Sequence, residues 1–121
     1  MVETNLKMFR GDTFSRTFTV YNDDVALDLT NCTVRMTFKW IYADADVDAV
    51  ITLTEGSGIT VDATPTTGKF TFSLAPSDTS AFPPRVIELK YDAQVTDASD
   101  NVYTVSYGKL TVLPDVSVTA P

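Results

Sequence analysis

Two stretches of unbroken alternation restrict this chain to extended structure. From 34 to 42, Val34, Met36, Phe38, Trp40 and Tyr42 alternate with Arg35, Thr37, Lys39 and Ile41. Successive strand side chains point to opposite faces, so the pattern predicts a strand with one dry face; wound into a helix it would scatter its apolar groups around the axis. Ile87, Leu89, Tyr91, Ala93 and Val95 alternate with Glu88, Lys90, Asp92, Gln94 and Thr96 in the same way. Phe70, Phe72 and Leu74 repeat the pattern, as do Phe14, Phe18 and Val20 with Arg16 interrupting. Shorter strands are predicted at 6–9, 50–53 and 59–61.

The last long strand, 102–113, starts with Tyr103, Val105 and Tyr107 on one parity and ends with Leu110 and Val112 on the other. Gly108 stands at the switch, which predicts a bulge there. Between strands lie turn formers: Asn22-Asp23-Asp24, Glu55-Gly56-Ser57-Gly58, Pro65-Thr66-Thr67-Gly68 and 97–101. Seven or eight strands with no useful helical period predict an all-β fold, an antiparallel immunoglobulin-like β-sandwich. One domain is expected over 1–113, with a tail at 114–121 and a helical turn at 76–81 that has Ser77 or Asp78 near its start. Phase places Phe18, Val34, Met36, Phe38, Phe70, Phe72, Leu89, Tyr91, Ala93 and Val95 in the core.

Composition removes several function classes. The chain has 121 residues, no His and one Cys, so His-dependent triads, His-containing zinc sites and an intrachain disulfide are excluded. Its net charge of -7 repels phosphate backbones, and the Lys and Arg residues are scattered singly, so neither nucleic acid nor membrane is expected as a partner. Residues 1–10 lack the apolar run of a signal peptide, and no stretch approaches the roughly 20 apolar residues of a membrane span. Cys32, without a CxxC partner, is expected to be a small buried hydrophobe.

The candidate sites each have a plainer explanation. Asp44, Asp46 and Asp48, with Glu55 eleven residues after Asp44, match positions of a calcium loop; against this, Ala49 occupies the glycine position and the flanks read as strands. The plainer explanation is a solvated hairpin loop. Asp97, Asp100 and Asn101 form an oxygen-rich cluster that turn chemistry accounts for. Gly11-Asp12-Thr13 precedes a strand, which favours a tight turn with Asp12 and Thr13 bonding local backbone over a phosphate cradle. Trp40, Tyr42, Tyr91, Tyr103 and Tyr107 could form a sugar platform, but most share the phase of core residues, which leaves Tyr21 and Tyr42 as the better surface candidates. No catalytic, cofactor-binding or metal residue is expected.

The order of these motifs carries a resemblance. Phe9-Arg10-Gly11-Asp12-Thr13-Phe14, Phe18-Thr19-Val20 and 27–35 resemble the opening of small β-sandwich structural proteins of tailed bacteriophages and prophages. Thr67-Gly68-Lys69-Phe70-Thr71-Phe72, the 74–82 segment, 91–97 and Gly108-Lys109-Leu110-Thr111-Val112 are similar to that group's later strands, and the opening is similar to the N-terminal domain of phage baseplate upper proteins. The chain departs at Asn31 and Cys32, where a glycine and an aromatic residue are common, and in its acidic 43–49 loop. The resemblance implies a non-enzymatic virion structural protein of a baseplate, fibre attachment or decoration. Its partners would be other virion structural proteins and further copies of itself as a homo-oligomer; the unpaired backbone groups of terminal strands place those contacts at 1–9 and 114–121. The alternative from another class is a carbohydrate-binding host-recognition domain.

Overall fold

The computed structural model describes residues 2–22, 24–41 and 49–115. Tyr42, Asp44, Asp46 and Asp48 lie outside them, as do 116–121 of the tail. The elements are β1 (Val2–Glu3), β2 (Leu6–Phe9), β3 (Phe14–Thr19), β4 (Tyr21–Asn22), β5 (Val25–Ala26), β6 (Thr33–Lys39), β7 (Ile51–Glu55), β8 (Gly58–Val61), β9 (Lys69–Leu74), α1 (Pro76–Thr79), β10 (Ile87–Thr96) and β11 (Val102–Leu113). The protein is all-β. Asp78 accepts the Ala75 N–H at 2.8 Å, which fixes the start of α1.

Among the described residues nine strands form one mixed sheet in the order β1-β11-β10-β6-β7-β8-β9-β3, with β2 also on β11. This corrects the expected antiparallel pairing, because β1 and β2 run parallel to β11 and β7 runs parallel to β8. Alternation reports which face of a strand is dry, and both directions of pairing preserve it. The β7–β8 step is a corner: only Gly56 and Ser57 separate Glu55 from Gly58, and only Thr54↔Gly58 and Glu55↔Ile59 join the two halves of the sheet. The opposite edges, β2 and β3, are linked by residues 10–13, so the sheet curls until it is nearly a barrel.

The predicted core is found inside. Val34, Met36, Phe38, Phe70, Phe72, Leu89, Tyr91, Ala93 and Val95 are buried, and Phe18 packs against them half-buried. Phe38 of β6 faces Phe72 of β9 across the interior at 6.3 Å, and Phe38 stacks on Tyr91 at 5.6 Å. Arg16 holds an inward phase on the edge strand β3 but is exposed, its guanidinium over the Phe14 ring at 4.5 Å. A charge at that phase discourages edge-to-edge pairing.

The bulge in β11 lies at Val105, where the pairing with β10 slips between Ala93↔Ser106 and Gln94↔Thr104, and not at the predicted Gly108. Gly108 has another task. It pairs with Tyr91 in line with buried Ser106 and Leu110, and a Cβ there would overlap the Thr4 carbonyl oxygen. The N-terminal strand jogs at that point between β1 and β2: Thr4 N–H donates to Tyr107 O at 2.9 Å, Tyr91 Oη–H donates to Thr4 O at 2.5 Å, and Asn5 Oδ1 accepts Lys109 N–H at 3.1 Å.

Candidate functional site

Strand directions divide the curled sheet into two ends. Phe9, Trp40, Val86 and Leu113 fall at one, and Tyr21, Val25, Val102 and Tyr103 at the other. Among the described residues the exposed large hydrophobic side chains are Phe9, Tyr21, Val25, Trp40, Ile41, Val86, Val102 and Tyr103, and they gather at the ends. Outward positions along the flanks are polar, as at Ser15, Thr17, Thr52, Thr54, Glu88 and Lys109.

At the first end Trp40 contacts Phe82 with ring centroids 6.0 Å apart. Arg10 ties this end together: Nε donates to Asp115 Oδ1 at 2.8 Å and Nη1 to Phe82 O at 2.7 Å. That hydrogen bond holds the Asp115 carboxyl below the usual carboxylate range. The adjoining Gly11 turn is anchored by Thr79 Oγ1, which accepts the Gly11 N–H at 2.8 Å, and by Asp12 N–H on Phe9 O at 3.2 Å. The bonding side chain thus comes from α1, whereas local bonds from Asp12 and Thr13 were expected.

The second end opens as a cleft of about 740 Å³ between the β4–β5 hairpin, the 28–32 turn and the 97–101 turn. Gly68, at φ 71°, lets the backbone of Val20 and Leu27 approach; a Cβ there would stand 2.8 Å from Val20 O and 3.0 Å from Leu27 O. Asp28 Oδ1 accepts Thr30 N–H at 2.9 Å and Thr30 Oγ1–H at 2.5 Å, an Asx turn that Asn31 completes at φ 61°. Asn tolerates this left-handed position better than other non-glycine residues, which accounts for its presence there. Asp97 Oδ1 accepts the N–H groups of Ser99 and Asn101 at 2.9 Å, and Oδ2 accepts Asn101 Nδ2–H at 3.1 Å.

The floor is apolar, from Val20, Leu27, Val95 and Val105, and Tyr21 and Tyr103 stand on the walls at 62% and 50% exposure. Tyr103 corrects the expectation that phase would bury it. It pairs with Val95 and so shares the inner face, but at the strand end it stands half-exposed on the cleft wall while Val95 is buried. Trp40, 44% exposed, fails for the same reason at the other end. Tyr107 pairs with Asp92, across the bulge from Tyr103, and is half-buried on the outer side.

Asp24, Asp28 and Asp97 line the cleft, and no Lys or Arg occurs among the described residues around it. Thr30 lowers the Asp28 pKa and Asn101 that of Asp97 through their hydrogen bonds, so both carboxylates stay charged at neutral pH. Cys32 also lines the cleft and is half-buried where full burial was expected. Burial, and then the charges of Asp97, Asp28 and Glu55, push its thiol pKa up. A protonated thiol is a poor nucleophile.

Glu55 accepts Val34 N–H at 2.9 Å, whereas Asp44, Asp46 and Asp48 of the same spacing lie outside the described residues. The strands flanking that loop, β6 and β7, pair antiparallel. Among the described residues no three His, Cys, Asp or Glu side chains are grouped to hold a metal ion. The cleft carboxylates Asp24 and Asp28 were not singled out by sequence reasoning, although Asp28-Leu29-Thr30 has the spacing of an Asx turn. No protein-family model and no curated protein matches the chain.

Proposed function

We propose that this protein is a non-enzymatic structural component of a bacteriophage virion, acting through contacts with other virion proteins and between its own copies. The motif order read from the sequence suggests the setting. The observation that carries the mode of action is the gathering of exposed apolar side chains at the ends of a sheet whose flanks are polar. Apolar area removed from water contributes about 25 cal/mol per Å², and a chain of net charge -7 needs such contacts to offset repulsion between copies. An immunoglobulin-like sandwich remains the finer description of the fold, supported by the thin β7–β8 corner and by the Phe38–Phe72 contact between opposed strands.

Phe9, Trp40 and Val86 form the surface assigned to these contacts, with β2 as a neighbouring edge strand. Mass spectrometry of purified parent particles should detect the protein at a fixed copy number. Trp40→Asp and Val86→Asp should fold and fail to incorporate. Absence from particles, or full incorporation of both variants, would overturn the proposal.

A further inference from the structure

We infer that the cleft between Tyr21 and Tyr103 is a binding site for an uncharged saccharide. This inference is independent of the virion reading, since a binding cleft can serve any host-facing or assembly role. Three features on different elements converge on it. The volume of about 740 Å³ is that of a small-ligand site, and the floor of Val20, Leu27, Val95 and Val105 is apolar. Tyr21 and Tyr103 both line it with half-exposed rings, contributed by β4 and β11. Such rings take up the C–H face of a sugar while their hydroxyls stay in water.

The third feature is a set of acceptors already held in place. Both bonds that Asp28 makes to Thr30 fall on Oδ1, and Asp97 is fixed by Ser99 and Asn101. Carboxylates oriented before a ligand arrives lose little freedom on binding, and a carboxylate oxygen accepts the hydroxyls of a diol. Thr19, Thr30, Ser99 and Thr104 add hydroxyl groups at the same surface. The carboxylates select against phosphorylated, sulfated or uronic sugars, because no cation of the lining would meet their charge.

The test is a titration of the isotopically labelled full chain, followed by backbone amide shifts, with maltose, lactose, cellobiose and diacetylchitobiose as probes. Digalacturonate serves as the anionic control and arginine amide as the cationic one. At least one neutral disaccharide should give saturable shifts confined to 19–32 and 95–105. Tyr21→Ala and Tyr103→Ala should each weaken that binding roughly tenfold, the size expected for losing one ring contact. Trp40 fluorescence, at the opposite end, reports that these variants remain folded. Trp40→Ala should leave binding unchanged. The inference is overturned if no neutral disaccharide gives saturable shifts at tens of millimolar, if the shifts map to the Trp40 end, or if arginine amide alone occupies the cleft.

Discussion

The jog of the N-terminal strand over Gly108 can be tested quantitatively. Tyr91→Phe keeps the stack on Phe38 and removes the hydroxyl that donates to Thr4 O. Loss of one hydrogen bond with its part-buried carbonyl left behind costs about 1–2 kcal/mol. Gly108→Ala places a methyl group against the same carbonyl, an overpacking that costs roughly 1–3 kcal/mol. The methyl group can be accommodated only if Thr4 moves away, and that movement already breaks the Tyr91 bond. The two changes should therefore not add: the double variant should fall short of their sum by about 1 kcal/mol. Urea unfolding of the four proteins, with unchanged m-values, measures this cycle. Hydrogen exchange at Thr4, whose N–H donates to Tyr107 O, should rise in Gly108→Ala ahead of global unfolding. Additive losses, or a Gly108→Ala protein within about 0.5 kcal/mol of the parent, would refute the proposed role of Gly108.

Phe72→Ala, which empties a fully buried site touching Phe14, Phe18 and Phe38, should cost about 3–5 kcal/mol in urea unfolding, against less than about 0.5 kcal/mol for Thr52→Ala on the outer face. Stability should fall in acid: the carboxyls of Asp28, Asp62, Glu88, Asp97 and Asp115 have lowered folded pKa values, so their contribution is present above the unfolded carboxylate range and is lost as pH drops below about 4. Denaturant midpoints at three pH values check the sign, and a midpoint that rises on acidification contradicts it. Arg10→Ala should destabilise at neutral pH and progressively less in acid, where its partner Asp115 becomes protonated. Cys32 should react with iodoacetamide at pH 8 more slowly than a free thiol, and faster in Asp97→Asn, which removes one of the charges holding the thiol protonated.

How much of the molecule was legible differs between the face of a strand and its neighbours. Phase alone identified β10 from Ile87 to Thr96, β11 from Val102 to Leu113 and all but one of the ten core residues as fully buried, because the side-chain period of a strand is a local property. The turns at 65–68 and 97–101 were equally legible, since Gly68 N–H closes on Pro65 O and Asp97 accepts the Asn101 N–H, both within a few residues; the room Gly68 leaves for Val20 and Leu27 was not legible.

Tertiary structure decided what alternation leaves open. Leu6 and Met8 read the same whether β2 runs parallel or antiparallel to β11, and the choice depends on a partner about a hundred residues away. Gly108 looked like a bulge because its neighbours change parity; the bulge is at Val105, and the glycine instead clears space for Thr4, a contact invisible to any local window. Trp40 and Tyr103 carry the inward phase of core residues, yet both are half-exposed, because the phase of a residue says which way it faces and not whether another layer covers it there. The ends of the curled sheet are where that cover stops. The cleft between Tyr21 and Tyr103 therefore exists only once the two local hairpins, β4–β5 and β10–β11, have been brought to one end by contacts between residues far apart in sequence, such as Val20 N–H on Gly68 O and Leu29 N–H on Pro65 O.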